Sequence, residues 1–163
     1  WEGNVERFRP DLVLVLSSIR DVQDREVDGS DLLPWGDARL DDEVLAVYEA
    51  AVDTLSSRGA DVVWMLAPCV QYVSRFGGHV DPDAYGPERL DRLNEVVLPA
   101  LQAARPDQVE LYPLDELFCP GGRYVDEIAG IEDFRPDGVH LSTEASEWLA
   151  AHLDDTLIAD RVR

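Results

Sequence analysis

Leu12-Val13-Leu14-Val15-Leu16 is an unbroken apolar run. A run with no polar alternation fits a strand covered on both faces, as strands are in parallel sheets. Val62-Val63-Trp64-Met65-Leu66 reads the same way. Val109-Glu110-Leu111-Tyr112 is a third strand, weakened by Glu110. Between the first two, Leu40, Val44, Val47, Tyr48, Ala51, Val52 and Leu55 recur at helical spacing. Asp41, Asp42 and Glu43 load acid at the amino end of that helix, and Gly59 is a natural stop. Between the second and third strands Pro87 suits a first helical position, and Leu90, Leu93, Val97, Leu98 and Leu101 form a stripe that ends before Pro106.

Outward from this centre, residues 1–10 read as the end of a helix. Trp1, Val5 and Phe8 lie near one face, and Pro10 stops it. A last helix runs from about Thr143 to Ile158, with Trp148, Leu149, His152 and Leu153 inward. Strand and helix thus alternate, which implies right-handed crossovers, a parallel sheet and an α/β fold. The length of 163 residues fits one domain spanning 1–163. Three strands are few, and a buried-type strand left as an open edge is normally avoided. The sheet is therefore expected to be completed by something outside this chain, or by another copy.

Two long polar loops, Ser17 to Asp37 and Ala67 to Gly86, follow the first two strands. The second holds Cys69, Tyr72, Arg75, Gly77, Gly78 and His79. Residues 113–141 look irregular, with Pro120-Gly121-Gly122 as a breaker. Long loops at the carboxyl ends of parallel strands are where ligands bind. That end should also carry Arg135-Pro136-Asp137-Gly138-Val139-His140-Leu141-Ser142. Here a carboxylate precedes an imidazole by three residues, with a glycine between to permit a tight bend. Asp137 can accept a hydrogen bond from one ring nitrogen of His140, leaving the other free to take a proton from a nucleophile. The plainer reading is a turn at Asp137-Gly138 followed by a helix cap at Ser142.

Composition narrows the function classes. The formal net charge is -20, and all 14 basic residues are arginine. Such a surface repels phosphate backbones and anionic lipid, so nucleic-acid partners are not expected. No apolar run approaches the roughly 20 residues of a membrane helix. The opening Trp1-Glu2-Gly3 has no initiator Met and no signal-peptide pattern, so the front of a longer polypeptide is expected to be missing. Cys69 and Cys119 lack metal-ligand spacing; they are one disulfide or two buried thiols.

Four stretches together resemble SGNH hydrolases, and most closely the SGNH domains fused behind bacterial integral-membrane acyltransferases. Arg9-Pro10-Asp11-Leu12-Val13, running on to Asp21-Val22-Gln23-Asp24-Arg25, resembles the third block. Val63-Trp64-Met65-Leu66-Ala67-Pro68-Cys69 resembles the next strand and its loop. Leu117-Phe118-Cys119-Pro120-Gly121-Gly122-Arg123-Tyr124 resembles a family loop, and Asp137-Gly138-Val139-His140-Leu141-Ser142 the fifth block. The resemblance implies a flavodoxin-like three-layer α/β/α fold, of which this chain holds about the C-terminal three strands. It implies His140 as general base, Asp137 as its orienter, and no cofactor or metal. The substrates implied are O-acyl esters, above all O-acetyl esters, of cell-surface carbohydrate. It implies an extracytoplasmic place, with covalent fusion to an upstream membrane acyltransferase domain. In such a compartment a Cys69–Cys119 disulfide is expected, since each cysteine follows one of the last two strands.

The chain departs from the family at its nucleophile. No Gly-Asp-Ser is present, and Gly29-Ser30-Asp31 has the wrong order and place. The serine block and the second-block glycine would lie before Trp1. The third-block asparagine, an oxyanion donor, aligns with Arg20, next to Asp21; Arg20 reads first as a surface cation paired with Asp21 or Asp24. Ser17 and Ser18 stand at the strand end as turn residues rather than substitute nucleophiles. His79 and His152 read as exposed or structural. Two functions follow: the C-terminal part of a serine esterase or acyltransferase domain, or a non-catalytic module that binds glycan or a partner through the same face.

Overall fold

The structure, a computed structural model, describes residues 1–27, 29, 32–71, 86–159 and 161. Helix α1 (Glu2–Phe8) ends where Arg9 turns left-handed at φ 45° and its N–H bonds back to the Val5 carbonyl. Strand β1 (Leu12–Leu16) follows at once. The next loop is not featureless: β2 (Arg25–Glu26) and β3 (Leu32–Leu33) pair as a short antiparallel ladder, with Val22 and Leu33 buried beside it. Helix α2 (Ala38–Leu55) starts where the Asp37 side chain accepts the Arg39 N–H at 2.9 Å. Strand β4 (Asp61–Met65) buries four successive residues, Val62 to Met65.

After the second long loop, α3 (Pro87–Arg92) and α4 (Leu98–Ala104) flank a π-helical turn, Leu93–Val97. Pro99 accounts for the widened turn. It has no N–H to give, and its ring would press on the carbonyl four residues back. The Leu98 N–H accordingly reaches back to Leu93. Strand β5 (Val109–Tyr112) leads into α5 (Leu114–Phe118) and a 3₁₀ turn, Pro120–Gly122, so part of the stretch expected to be irregular is helical. Helix α6 (Thr143–Leu153), capped by Ser142 accepting from the Ala145 N–H at 3.1 Å, runs into a second π turn, Asp154–Ile158.

The three long strands form one parallel sheet in the order β1-β4-β5. Alternation along β4 divides the core. Val62 and Trp64 face one cluster with Val5, Leu40, Val52, Leu93, Leu98 and Leu101. Val63 and Met65 face the other, with Leu114, Phe118, Phe134, Ala145 and Leu157. Helices therefore cover both faces, which is why β4 tolerates no polar alternation. Each fully buried aliphatic or aromatic side chain contributes about 1.5–3 kcal/mol.

Three expected inward residues are not inside. Trp1, Phe8 and Val47 are 68%, 65% and 54% exposed. Only Val5 of α1 reaches the core, because α1 lies beside the outermost strand, where no further layer closes over Trp1 and Phe8. Among the described residues the outer edge of β1 has no strand partner. Beside it lies an apolar cavity of about 330 Å³ lined by Trp1, Val5, Phe8, Val13, Val15 and Leu55, among others. No helix among the described residues is long and apolar enough to cross a membrane.

A buried polar link ties β1 to β4. Trp64 Nε1 donates to Ser17 Oγ at 2.9 Å, and Ser17 Oγ donates to the Tyr48 hydroxyl at 3.1 Å. Burial, opposed by the Ser17 hydrogen bond, pushes the Tyr48 phenol up to about 12. A group whose folded pKa is raised stabilises below its unfolded value and loses that contribution as pH rises through the folded one. Unfolding measured from pH 9 to 12 should therefore show falling stability above about pH 10. Tyr48→Phe should flatten part of that fall; an unchanged slope in the variant would sink the assignment.

Candidate functional site

The turn after Phe134 is built by its own backbone. The Gly138 N–H donates to the Arg135 carbonyl at 2.7 Å, and Gly138 lies at φ +79°. The Gly138 carbonyl accepts the Gln71 N–H at 3.0 Å, which joins this turn to the loop after β4. A Cβ on residue 138 would fall 1.4 Å from the Gln71 carbonyl oxygen, so only glycine fits.

The bend brings the two candidate residues together. Asp137 Oδ1 accepts the backbone N–H groups of Val139 at 2.9 Å and His140 at 2.7 Å. Asp137 Oδ2 lies 2.7 Å from His140 Nδ1. Desolvation would raise the Asp137 pKa, but the His140 ring and the two backbone N–H groups outweigh it and hold the carboxyl down at about 2. Asp137 is therefore an ionised acceptor at neutral pH, which selects Nδ1–H on the ring and leaves Nε2 as the acceptor. The His140 side chain is 83% exposed, so Nε2 is open to incoming groups.

Because the Asp137 pKa is depressed, whatever the pair contributes is present above about pH 4. It is lost as pH falls through about 2. The Nδ1–H signal of His140, followed by NMR, should persist down to about pH 4 and disappear only toward about 2. Disappearance near pH 6 with the fold intact would show that Asp137 does not hold the ring.

His140 and Val139 share the rim of a cavity of about 310 Å³ with Leu16, Ser17, Ser18, Ile19 and Arg20 after β1, and Pro68 and Val70 after β4. The Asp137–His140 turn thus stands at the carboxyl end of the sheet, beside the loops of two strands. Ser17 is buried and its hydroxyl is engaged in the core, so it faces no substrate. Ser18 Oγ is 3.4 Å from the Arg20 N–H and makes no hydrogen bond to His140. Arg20 is not paired as expected. Asp21 Oδ2 accepts the Ser18 N–H at 2.7 Å, and Asp24 holds Arg89 at 2.8 Å, so both intended partners are spent elsewhere. His152 stacks on Trp148 with ring centroids 5.1 Å apart, a packing role. His79, Tyr72, Arg75, Gly77 and Gly78 lie outside the described residues, as do Ser30 and Asp31.

Cys69 and Cys119 are joined by a disulfide, with Cα atoms 6.1 Å apart. It ties the loop after β4 to the segment after β5, next to the Asp137 turn. Sequence reading gave no role to Arg135, which is 1% exposed. Its guanidinium donates to the Cys69 and Phe118 carbonyls and lies 4.3 Å from the Tyr124 ring centroid. Burial pushes its pKa down, opposed by Tyr124 and Asp126. Local pattern does not mark it, because its carbonyl partners are 66 and 17 residues away.

The assembled parts are a carboxylate-oriented imidazole with one free nitrogen, an apolar-walled cavity and one arginine on its rim. Such a set can accept a proton from a hydroxyl or water. Among the described residues no cluster of His, Cys, Asp and Glu is arranged to hold a metal. No protein-family model matches the chain, and no curated protein matches it.

Proposed function

We propose that the chain is the C-terminal part of an SGNH-type serine esterase or O-acyltransferase domain of flavodoxin-like fold. The observation that carries this reading is the 2.7 Å contact between Asp137 Oδ2 and His140 Nδ1 on the rim of a cavity. His140 Nε2 takes the proton of a serine hydroxyl as it attacks an ester carbonyl, then returns it to the departing alcohol. Water repeats the sequence on the acyl-enzyme; an acceptor alcohol in its place gives transfer. Neither strand-end serine suits the nucleophile, so the reading takes that serine from polypeptide upstream of Trp1. The unpaired β1 edge beside an apolar cavity supports it, since a further parallel strand fits there. The substrates are O-acetyl esters of cell-surface carbohydrate, the place is extracytoplasmic, and the upstream fusion is to a membrane acyltransferase domain.

The test is turnover of 4-nitrophenyl acetate by the natural polypeptide that carries this chain. His140→Ala should lower kcat/KM at least about 100-fold, the low end for loss of a general base. Asp137→Asn should lower it less, by disturbing the tautomer. The 163-residue chain alone should turn over slowly. An ordinary enzymatic rate from it, sensitive to Ser18→Ala, would move the nucleophile to Ser18.

A non-catalytic glycan- or partner-binding module is the second reading. It is favoured by one observation, that no serine hydrogen-bonds His140 among the described residues. An upstream polypeptide with no Gly-Asp-Ser, together with no turnover, would establish it.

A further inference from the structure

The rim cavity contains a cation whose backbone is pinned while its side chain is left unengaged. The Asp21 N–H donates to the Ser18 carbonyl at 2.8 Å, and the Ser18 N–H to Asp21 Oδ2 at 2.7 Å. Arg25 Nη2 donates to the carbonyls of Arg20 and Asp21, each at 3.0 Å. Ile19 and Val22, on either side, are 6% and 0% exposed. The turn holding Arg20 is thus fixed from within and from below. The Arg20 guanidinium itself has no ion-pair or hydrogen-bond partner among the described residues.

Of the described arginines that hold no carboxylate (Arg7, Arg9, Arg20, Arg25, Arg123 and Arg135), Arg20 is the one that lines the His140 cavity. Arg39, Arg58, Arg89, Arg92, Arg105 and Arg161 each hold a carboxylate. Among the described residues no carboxylate lines this cavity, although Asp137 stands directly behind His140. Two other cavities carry acid, one from Asp91, Asp115 and Glu116 and one from Asp61, Asp107 and Glu110. The His140 cavity thus has apolar walls from Leu16, Ile19, Pro68, Val70 and Val139, with the Arg20 guanidinium at its rim. At physiological salt, charges more than about 8 Å away are largely screened. Carboxylates beyond that range weigh little there; Asp21 and Asp137 are nearer, but their oxygens are engaged by backbone N–H groups and the His140 ring, so a direct guanidinium contact decides.

We propose that Arg20 anchors an oxyanion group on the substrate, so that the site takes O-acyl esters of anionic rather than neutral alcohols. The apolar walls receive the acyl group and Arg20 receives a carboxylate or phosphate on the alcohol part. The substrate class rests on the esterase reading; the anion preference does not. A planar guanidinium matches both oxyanions bidentately.

The test is binding rather than turnover. The chain is titrated at fixed ionic strength with sodium glucuronate, glucose 6-phosphate and glucose, reading the amide NMR shifts of Ile19, Arg20, Val70 and Val139. Glucuronate or glucose 6-phosphate should bind at least about tenfold tighter than glucose, as expected for a charge-assisted contact. Which of the two gains assigns the carboxylate or the phosphate. Arg20→Gln should erase the gain, and Arg20→Lys should retain part of it. Arg20 is exposed, so both variants should keep the wild-type spectrum elsewhere. Equal binding of all three sugars, or a gain that survives Arg20→Gln, overturns the proposal. Absence of ester turnover in the natural polypeptide, with the anion preference intact, sinks the esterase reading and leaves the anion site standing.

Discussion

Replacing both members of the disulfide, Cys69→Ala with Cys119→Ala, is expected to lower the unfolding free energy by about 4 kcal/mol. The bond spans 50 residues of sequence. Closing so long a loop removes much conformational freedom from the unfolded chain, the main source of a disulfide's effect in the chain-entropy account. The loss should not stop at entropy. Arg135 donates to the Cys69 carbonyl and lies against Cys119 Sγ at 3.9 Å, so freeing the two segments loosens the bed of a buried cation. The measurement is the urea midpoint of each form, with the His140 Nδ1–H signal followed in parallel. A shift worth under about 1 kcal/mol would mean that neighbouring packing, rather than the bond, holds these segments.

Gly138→Ala should be nearly as damaging for a different reason. The new Cβ would sit 1.4 Å from the Gln71 carbonyl oxygen, a backbone atom that cannot swing away like a side chain. The turn must open, and it loses the Gln71 N–H to Gly138 carbonyl bond that joins it to the loop after β4. A cost on the order of 3 kcal/mol follows, from left-handed strain plus the clash. Gly130→Ala is the control. Gly130 has nearly the same φ, +81°, but a Cβ there would meet nothing within 4 Å. It should cost only the conformational part, about 1–2 kcal/mol. Equal losses in the two variants would show that the contact with Gln71 is not what demands glycine. Gly138→Ala should also separate Asp137 from His140 and abolish any turnover that depends on the pair.

Much of the fold is legible in local pattern because it arises from local causes. The apolar runs at Leu12–Leu16 and at residues 62–65 are strands because continuous apolarity suits a sheet covered on both faces, and Val109–Tyr112 is a strand despite Glu110. The 3.6-residue stripes place α2 and the helix from Pro87 to Ala104 for the same kind of reason. The carboxylate–imidazole spacing of Asp137 and His140 is likewise local, three residues apart around one glycine. Their hydrogen bond needs only the bend that Gly138 permits.

Other features depend on partners far along the chain, which spacing does not encode. Helix α5 was hidden among breakers because it is held by Leu114 and Phe118 against the second core rather than by a repeating stripe. Trp1 and Phe8 share a face with Val5, yet they stay exposed because nothing among the described residues covers the β1 edge. Tertiary structure alone turned Ser17 into a buried link between Trp64 and Tyr48, and made Arg135 the cation beneath the disulfide. It also withdrew Asp21 and Asp24 from Arg20, leaving that guanidinium unpaired at the rim beside His140. The sequence by itself determined the three long strands, the main helices and the Asp137–His140 turn, since those follow from neighbours within one helical turn or one bend; the β2–β3 ladder and α5 were not legible in it. Which of the polar residues face the cavity and which are consumed by the core was decided only when segments 17–67 residues apart were packed together.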